Sequence, residues 1–283
     1  MQIFREKAAL QSAISALKQE GKTIGFVPTM GALHEGHLSL VIQASKACDT
    51  VVISIFINPT QFDNPQDLLN YPRTLETDIL MLKDLQLNLL IFAPNATELY
   101  GDNIVAEHFL FDGLEHEMEG KYRTGHFNGV GTVVKKLFEI VQPHKAFFGE
   151  KDFQQLQIIK KLTHKNNLPV EIIGCPIDRE EHGLARSSRN ERLSPEVRRE
   201  ASFIYKTLLK VKEKFGTENA KSINNWVKNE FNKHQTLKLE YFEIADTNSL
   251  KTSSEKENGA TYRAFIAAYA GDVRLIDNIA LDN

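Results

Sequence analysis

The stretch Lys22-Thr-Ile-Gly-Phe-Val-Pro-Thr-Met-Gly-Ala-Leu-His-Glu-Gly-His-Leu-Ser-Leu40 decides how the rest of the chain is read. Its first part, Thr23 to Val27, has the apolar character of a short buried strand. Pro28 and Gly31 are expected to break that run, and a helix is expected to open near Gly36. A strand, a tight glycine-containing turn and a helix N-terminus together make a phosphate cradle, because the first amide N–H groups of a helix lack internal partners. His34 and His37 stand three residues apart at this helix start. If the first turn includes both, that spacing sets the two imidazoles on one face, beside free N–H groups that suit a polyanion.

Outward from this stretch the chain reads as alternating strands and helices. Glu6 to Glu20 carries Ala9, Leu10, Ala13, Ile14 and Leu17 at helical spacing and ends at Gly21. After Leu38 to Ala47 continues the helix, Val51 to Ile57 is an almost unbroken β-branched run, as expected of a central parallel strand. It ends in Asn58-Pro-Thr-Gln-Phe62, beyond the carboxyl end of a strand, where open α/β sheets bind ligands. The amide of Gln61 can donate and accept, which suits a hydroxy acid; the same position in a plain turn would be exposed. A helix capped by Thr74, with Glu76 and Asp78 in its first turn, leads to the strand Leu89 to Phe92. Further on, Arg123-Thr-Gly-His126 precedes a helix over Val130 to Val141 and offers an arginine and a histidine to an anion. Lys145 to Phe148 is another buried strand, and Gly149-Glu-Lys-Asp-Phe-Gln-Gln155 repeats the strand, glycine and helix pattern. Lys151 is a point charge placed for a phosphate, Asp152 can take a ribose hydroxyl or simply cap the helix, and Gln155 follows one turn later.

Val170 to Ile173 closes the expected sheet, and the character then changes. Cys175 to Asn190 is a polar connector whose Arg186-Ser187-Ser188-Arg189 cluster reads as a lid for a nucleotide. Amphipathic helices follow from Pro195 and from Lys221, and then strands over Leu237 to Ala245, Tyr262 to Ala270 and Val273 to Ile276, the last two joined at Gly271-Asp272. The expectation is α/β: residues 1–175 as a Rossmann-like parallel sheet with flanking helices, and residues 176–283 as a smaller α+β unit with a short antiparallel sheet.

Composition narrows the function. The 283 residues are 42% hydrophobic and 25% charged, and 34 Lys plus Arg against 37 Asp plus Glu give a net −3. Such a surface has no broad basic face for nucleic acid, so an anion site must be local. Cys48 and Cys175 match no metal spacing and no disulfide framework, and His116-Glu-Met-Glu119 lacks companion ligands, so no protein-built metal site is expected. No segment approaches the roughly 18 apolar residues of a membrane span, and no apolar signal core opens the chain, which points to a soluble, cytoplasmic protein.

Several blocks then carry a resemblance in one consistent order: Pro28-Thr-Met-Gly-Ala-Leu-His-Glu-Gly-His37, Asn58-Pro-Thr-Gln-Phe62, Tyr71-Pro-Arg-Thr74, Phe148-Gly-Glu-Lys-Asp-Phe-Gln-Gln155, Gly183-Leu-Ala-Arg-Ser-Ser-Arg-Asn190 and Asp272-Val-Arg-Leu-Ile-Asp-Asn278. The set resembles the pantothenate synthetases (pantoate–β-alanine ligases), within the wider HxGH nucleotidyltransferases. The resemblance implies ATP as substrate, Mg2+ bound through its phosphates, pantoate and β-alanine as small-molecule partners, a pantoyl-adenylate intermediate and a homodimer, with no nucleic acid or membrane partner. It implies an ATP site lined by Met30, Gly31, Ala32, Leu33, His34, Glu35, Gly36 and His37, by Gly149, Glu150, Lys151 and Asp152, by Asp178, and by Arg186, Ser187, Ser188 and Arg189. Gln61 and Gln155 would hold pantoate, and His37, His34 and Lys151 would be catalytic. Proton donation is the role the resemblance gives His37; pyrophosphate leaves without a strong acid, which favours charge stabilisation instead. The rival reading is another HxGH nucleotidyltransferase that retains AMP in its product. Two positions depart from the family: Arg186 stands where Met or Leu is common, and Thr124 where proline is usual.

Overall fold

Thr23 to Leu40 folds as strand, turn and helix, and a parallel sheet extends on both sides of it. The structure is a computed structural model and describes residues 1–253 and 257–281. The chain separates into two compact units, Met1–Glu150 with Gln154–Pro176, and Lys151–Phe153 with the chain from Ile177 onward.

The first unit holds β1 (Gln2–Phe4), α1 (Lys7–Gln19), β2 (Ile24–Thr29), α2 (Glu35–Ala47), β3 (Thr50–Ile55), α3 (Pro65–Asn70), α4 (Leu75–Asp84), β4 (Leu89–Phe92), α5 (Ala96–Tyr100), α6 (Met118–Tyr122), α7 (His126–Val141), β5 (Lys145–Gly149), α8 (Phe153–Lys165) and β6 (Glu171–Cys175). The strands lie in the order β1-β4-β3-β2-β5-β6, all parallel. From β2 the chain steps outward through β3 and β4, and it then crosses to β5 and β6 on the other side. The order therefore reverses between β2 and β5, and the loops leaving their carboxyl ends are Met30 to His34 and the turn after Gly149. All of β3 is buried, as its β-branched run requires, and Val27, Val41, Ile53, Leu82 and Ile91 share one core.

Pro28 lies inside β2 rather than ending it. The carbonyls of Thr23, just before β2, and of Thr29 accept from Thr50 and Phe56 on the β3 side, whereas that of Ile24 accepts from His144 just before β5. Residue 28 thus turns its nitrogen toward the β5 side, where pairing stops at Phe26, and the missing N–H has no partner to disappoint. Helix α7 starts at His126, four residues before the sequence reading places it. Its glycines are packing residues: a Cβ on Gly129 would lie 2.2 Å from the Thr60 carbonyl oxygen.

The second unit holds α9 (Pro195–Glu200), α10 (Phe203–Phe215), α11 (Ala220–Lys233), β7 (Leu237–Asp246), β8 (Tyr262–Ala270) and β9 (Val273–Ala280), the strands forming one antiparallel sheet in that order. Ala270 pairs with Val273 across a two-residue turn at Gly271 and Asp272, the expected hairpin. The helices cover the sheet with Ile204, Leu208, Val227 and Phe231. β9 runs on to Ala280, beyond the expected end at Ile276, through the buried polar pair Asp277 and Asn278.

Candidate active site

The turn after β2 is held from below by a carboxylate. Asp78, 1% exposed, accepts from the backbone N–H groups of Ala32 (3.1 Å) and Leu33 (2.9 Å) and from Thr74 Oγ1 (3.1 Å). Gly31 sits at φ +84°, and a Cβ there would come 3.1 Å from Asp78 and 3.2 Å from Ile55, so this position needs glycine. Thr74 does precede α4, yet it makes no side-chain cap to the helix; its hydroxyl serves Asp78 instead. Sequence reasoning treated Asp78 only as a first-turn acid. The signal that could have found it is its place on an apolar face, three residues after Leu75 and four before the buried Leu82.

His34 is the N-cap of α2 rather than part of its first turn, and its Nδ1 accepts from Gly36 N–H at 3.2 Å. An accepting Nδ1 leaves the ring proton on Nε2. His37 lies in the first turn, its N–H donating to the His34 carbonyl at 2.8 Å. The two rings come together at 4.0 Å between centroids, tilted by 34°. The site therefore presents two adjacent imidazoles at a helix N-terminus, the end that favours negative charge.

The loop after β3 supplies the neighbouring wall. Asn58 is 1% exposed and caps a short 3-10 turn over Pro59–Gln61. Its Nδ2 donates to Gln61 Oε1 (3.0 Å) and to the Gly129 carbonyl (3.1 Å), while its Oδ1 accepts from Tyr100 Oη at 2.6 Å and from Thr60 Oγ1 at 3.0 Å. Burial raises the Tyr100 hydroxyl pKa, which keeps it a donor at neutral pH. Gln61 is 8% exposed, not a solvated turn residue, and its Nε2 faces the Met30 sulfur at 2.9 Å.

His126 belongs to this scaffold. Arg123, which can only donate, approaches its Nε2 at 3.1 Å, so the proton sits on Nδ1 and is donated to the Gln61 carbonyl at 2.8 Å. Its role is to fix Gln61, a use the Arg-x-Gly-His spelling did not reveal. The Arg123–His126 turn is closed by a His126 N–H to Arg123 carbonyl bond.

After β5, Glu150–Asp152 form one 3-10 turn running into α8. Lys151 is largely covered, with its Nζ 4.0 Å from Asp152 Oδ1, and Asp152 is exposed. The glutamine pair divides its work. Gln154 is buried and tied to the Leu114 and Glu117 carbonyls and to Glu119 N–H, whereas Gln155 is only half-buried. Below them Cys175 is fully buried, and that burial, with the charge of Glu150, pushes its thiol up to about 11, as expected of an inert core residue.

In the second unit, Asp178 and Arg186 are fastened to each other: Arg186 N–H donates to the Asp178 carbonyl at 3.0 Å, and its Nε meets the Asp178 carboxylate at 2.8 Å. Ser187 caps the 3-10 turn Ser188–Arg192 by accepting from Arg189 N–H. Behind it the buried Asn190 donates to Glu180 and to the Ala185 carbonyl, and Arg198 clasps Glu180 through Nε. Burial opposes ionisation of Glu180, but Arg198 and Asn190 outweigh it and hold the carboxyl below its ordinary range.

The family model described as Pantoate-beta-alanine ligase matches residues 2–280. The chain belongs to the pantoate–β-alanine ligase family. It is 62% identical over its full length, and over the full length of the relative, to a pantothenate synthetase of Christiangramia forsetii, and 50% identical to that of Flavobacterium psychrophilum, covering 99% of this chain and 100% of the relative. Among solved structures, a pantothenate synthetase from Thermus thermophilus superposes with a TM-score of 0.91 at 37% identity, each chain covered entirely. A pantoate–β-alanine ligase from Francisella tularensis, complexed with beta-gamma ATP and beta-alanine, gives a TM-score of 0.75 at 35% identity, covering 100% of this chain and 98% of that one. The parallel sheet followed by a three-stranded antiparallel sheet is thus the architecture of a pantoate–β-alanine ligase.

Proposed function

We propose that the chain condenses (R)-pantoate with β-alanine at the expense of ATP, giving pantothenate, AMP and pyrophosphate through pantoyl adenylate. The observation that carries this course of reaction is the paired His34 and His37 at the N-terminus of α2, on a turn pinned by Asp78 and beside the buried amide of Gln61.

In the first step a pantoate carboxylate oxygen bonds to the α-phosphorus of ATP while the bond to the bridging oxygen of pyrophosphate breaks, its electron pair leaving with pyrophosphate. Negative charge grows on the departing group. His34 Nε2–H, His37 and the Lys151 ammonium stabilise it, a role that needs no discrete proton transfer. Met30, Gly31, Ala32, Leu33, Glu35 and Gly36 line ATP together with Gly149 and Glu150; Asp152 takes the ribose, Asp178 the adenine side, and Arg186, Ser187, Ser188 and Arg189 the phosphates. Gln61 and Gln155 hold pantoate. A thioether is a weak acceptor, so Gln61 Nε2 gains by exchanging Met30 Sδ for a pantoate oxygen. In the second step the β-alanine amine attacks the acyl carbon, loses a proton, and AMP departs with the electrons of the acyl–oxygen bond.

Among the described residues no group of three or more His, Cys, Asp and Glu side chains is arranged to hold a metal ion. Mg2+ in this reading would arrive bound to the ATP phosphates, where it would neutralise oxygen charge. The reading includes a homodimer, supported by the exposed Ile104, Val105 and Leu110 on an extended segment that a second copy would cover. It also includes a cytoplasmic location, where ATP is supplied; among the described residues no helix is long and apolar enough to cross a membrane.

The test is pantoate-dependent exchange of pyrophosphate into ATP, followed by AMP release once β-alanine is added. Absence of exchange with pantoate refutes the reading, and light scattering checks the dimer.

A further inference from the structure

The end of β9 and the neighbouring start of β8 hold buried polar residues that the reaction above does not use: Asn278 is 2% exposed and Asp277 4% on β9, and Arg263 8% on β8. Asn278 Oδ1 accepts from Arg263 Nη1, and Asn278 Nδ2 donates to the Lys151 carbonyl at 2.9 Å. A guanidinium can only donate, so Arg263 fixes which end of the amide faces it and aims the NH2 at Lys151. Asn278 N–H is itself held by Asp277 Oδ1 at 2.8 Å, and Arg179 grips that carboxylate with both terminal nitrogens, at 2.6 and 2.9 Å. Two residues beyond Lys151, the Phe153 ring lies 4.1 Å beneath the Arg263 guanidinium and 5.9 Å from the Phe265 ring.

We propose that Asn278 is a positioning residue for Lys151: its amide, oriented by Arg263, clamps the Lys151 carbonyl and so sets where the ammonium stands for adenylate formation. The proposal rests on the reading of Lys151 as a stabiliser of the departing pyrophosphate. A lysine reaches its ligand through a flexible stem, so the direction it takes depends on the backbone that carries it. That backbone is a short 3-10 turn at the junction of β5 and α8, where hydrogen-bond geometry is poorer than inside either element and a further brace is useful. The clamp supplies the brace from both sides, by hydrogen bond at Lys151 and by cation–π stacking at Phe153. It also explains why β9 continues through polar residues that interrupt its apolar pattern.

The decisive experiment is a double-mutant cycle read by single-turnover pyrophosphate release from ATP and pantoate. Asn278→Asp keeps the shape and the Arg263 contact but turns an oxygen toward the Lys151 carbonyl. It should slow adenylation about 10-fold with Lys151 present and less than about 2-fold in a Lys151→Ala background, because misplacement of a group that is absent costs nothing. Amide formation from pantoyl adenylate supplied directly should proceed at the parental rate. An equal loss in both backgrounds, an equal loss in both half-reactions, or no loss with Lys151 present overturns the proposal. If Lys151→Ala alone leaves adenylation unchanged, the reading of Lys151 fails first and the clamp loses its purpose with it. Should Asn278→Asp not fold, Asn278→Ser, whose hydroxyl is too short to span Arg263 and Lys151, carries the same cycle.

Discussion

Asp78 gives the sharpest test of how the Gly31–Leu33 turn is held. Its carboxylate accepts from two backbone N–H groups of the Gly31–Leu33 turn and from Thr74 in a fully buried place. Asp78→Asn retains one oxygen and sets an NH2 against a backbone N–H, so at least one charge-assisted bond is lost, about 2 kcal/mol. If the bonded and released turns then become comparable in energy, about 2 kcal/mol is a factor of about 30 in the population of the productive loop. Asn at this position should lower kcat/KM for adenylation by up to about 30-fold. Asp78→Ala, which loses every bond and leaves a void, should cost about 4 kcal/mol and lower the melting temperature as well. Single-turnover exchange with each variant, alongside thermal melting, makes the comparison. Exchange by the Asn variant at the parental rate would show that the turn holds its shape without Asp78, and the reasoning would be wrong.

Other outcomes follow from the same geometry. His37→Ala and Lys151→Ala should each slow adenylate formation by about 10²-fold or more, as loss of an electrostatic donor does; unchanged single-turnover rates would remove those assignments. Gln61→Ala should weaken pantoate more than ATP in calorimetric titrations, since its amide is the group poised to exchange a sulfur for a ligand oxygen. Glu180 offers a pH test. Its folded pKa is lowered, so its contribution is present above the ordinary value of 4.5 and is lost as pH falls through the lowered one. Melting of the parental protein should therefore decline with acid below that value, and Glu180→Gln should flatten this part of the profile.

What the sequence showed and what it concealed divide along physical lines. Buried parallel strands announce themselves because both faces are covered, and β4 is a continuous and β3 a nearly continuous apolar run for that reason. The glycine turn and the His34–His37 spacing were legible because backbone geometry and ligand chemistry restrict residue type at single positions. The start of α7 was not, since Gly125, Gly129 and Gly131 look like loop punctuation; only the approach of the Thr60 carbonyl and the Phe109 ring shows that Gly129 and Gly131 are small for packing. The far end of β9 was hidden for the opposite reason, its polar residues being matched by arginines distant in sequence.

The residues whose structural roles the sequence did not reveal share one trait: each acts on another residue's backbone. Asp78 holds the amides of Ala32 and Leu33, His126 the carbonyl of Gln61, and Asn278 the carbonyl of Lys151. A side chain that meets a ligand is constrained by the ligand's chemistry, which a motif records. A side chain that meets a backbone N–H or carbonyl is constrained mainly by geometry, since nearly every residue offers the same groups. Such anchors therefore emerge only when the chain is folded. They also make a distinct prediction about failure. Removing a ligand-contacting group should change one half-reaction or one substrate. Removing an anchor should act only through the residue it holds, so its effect should vanish when that residue is already gone. His126 can be judged by this rule: His126→Ala should weaken pantoate in the parental protein and add little in Gln61→Ala, and additive losses in the two would mean that the imidazole touches substrate itself.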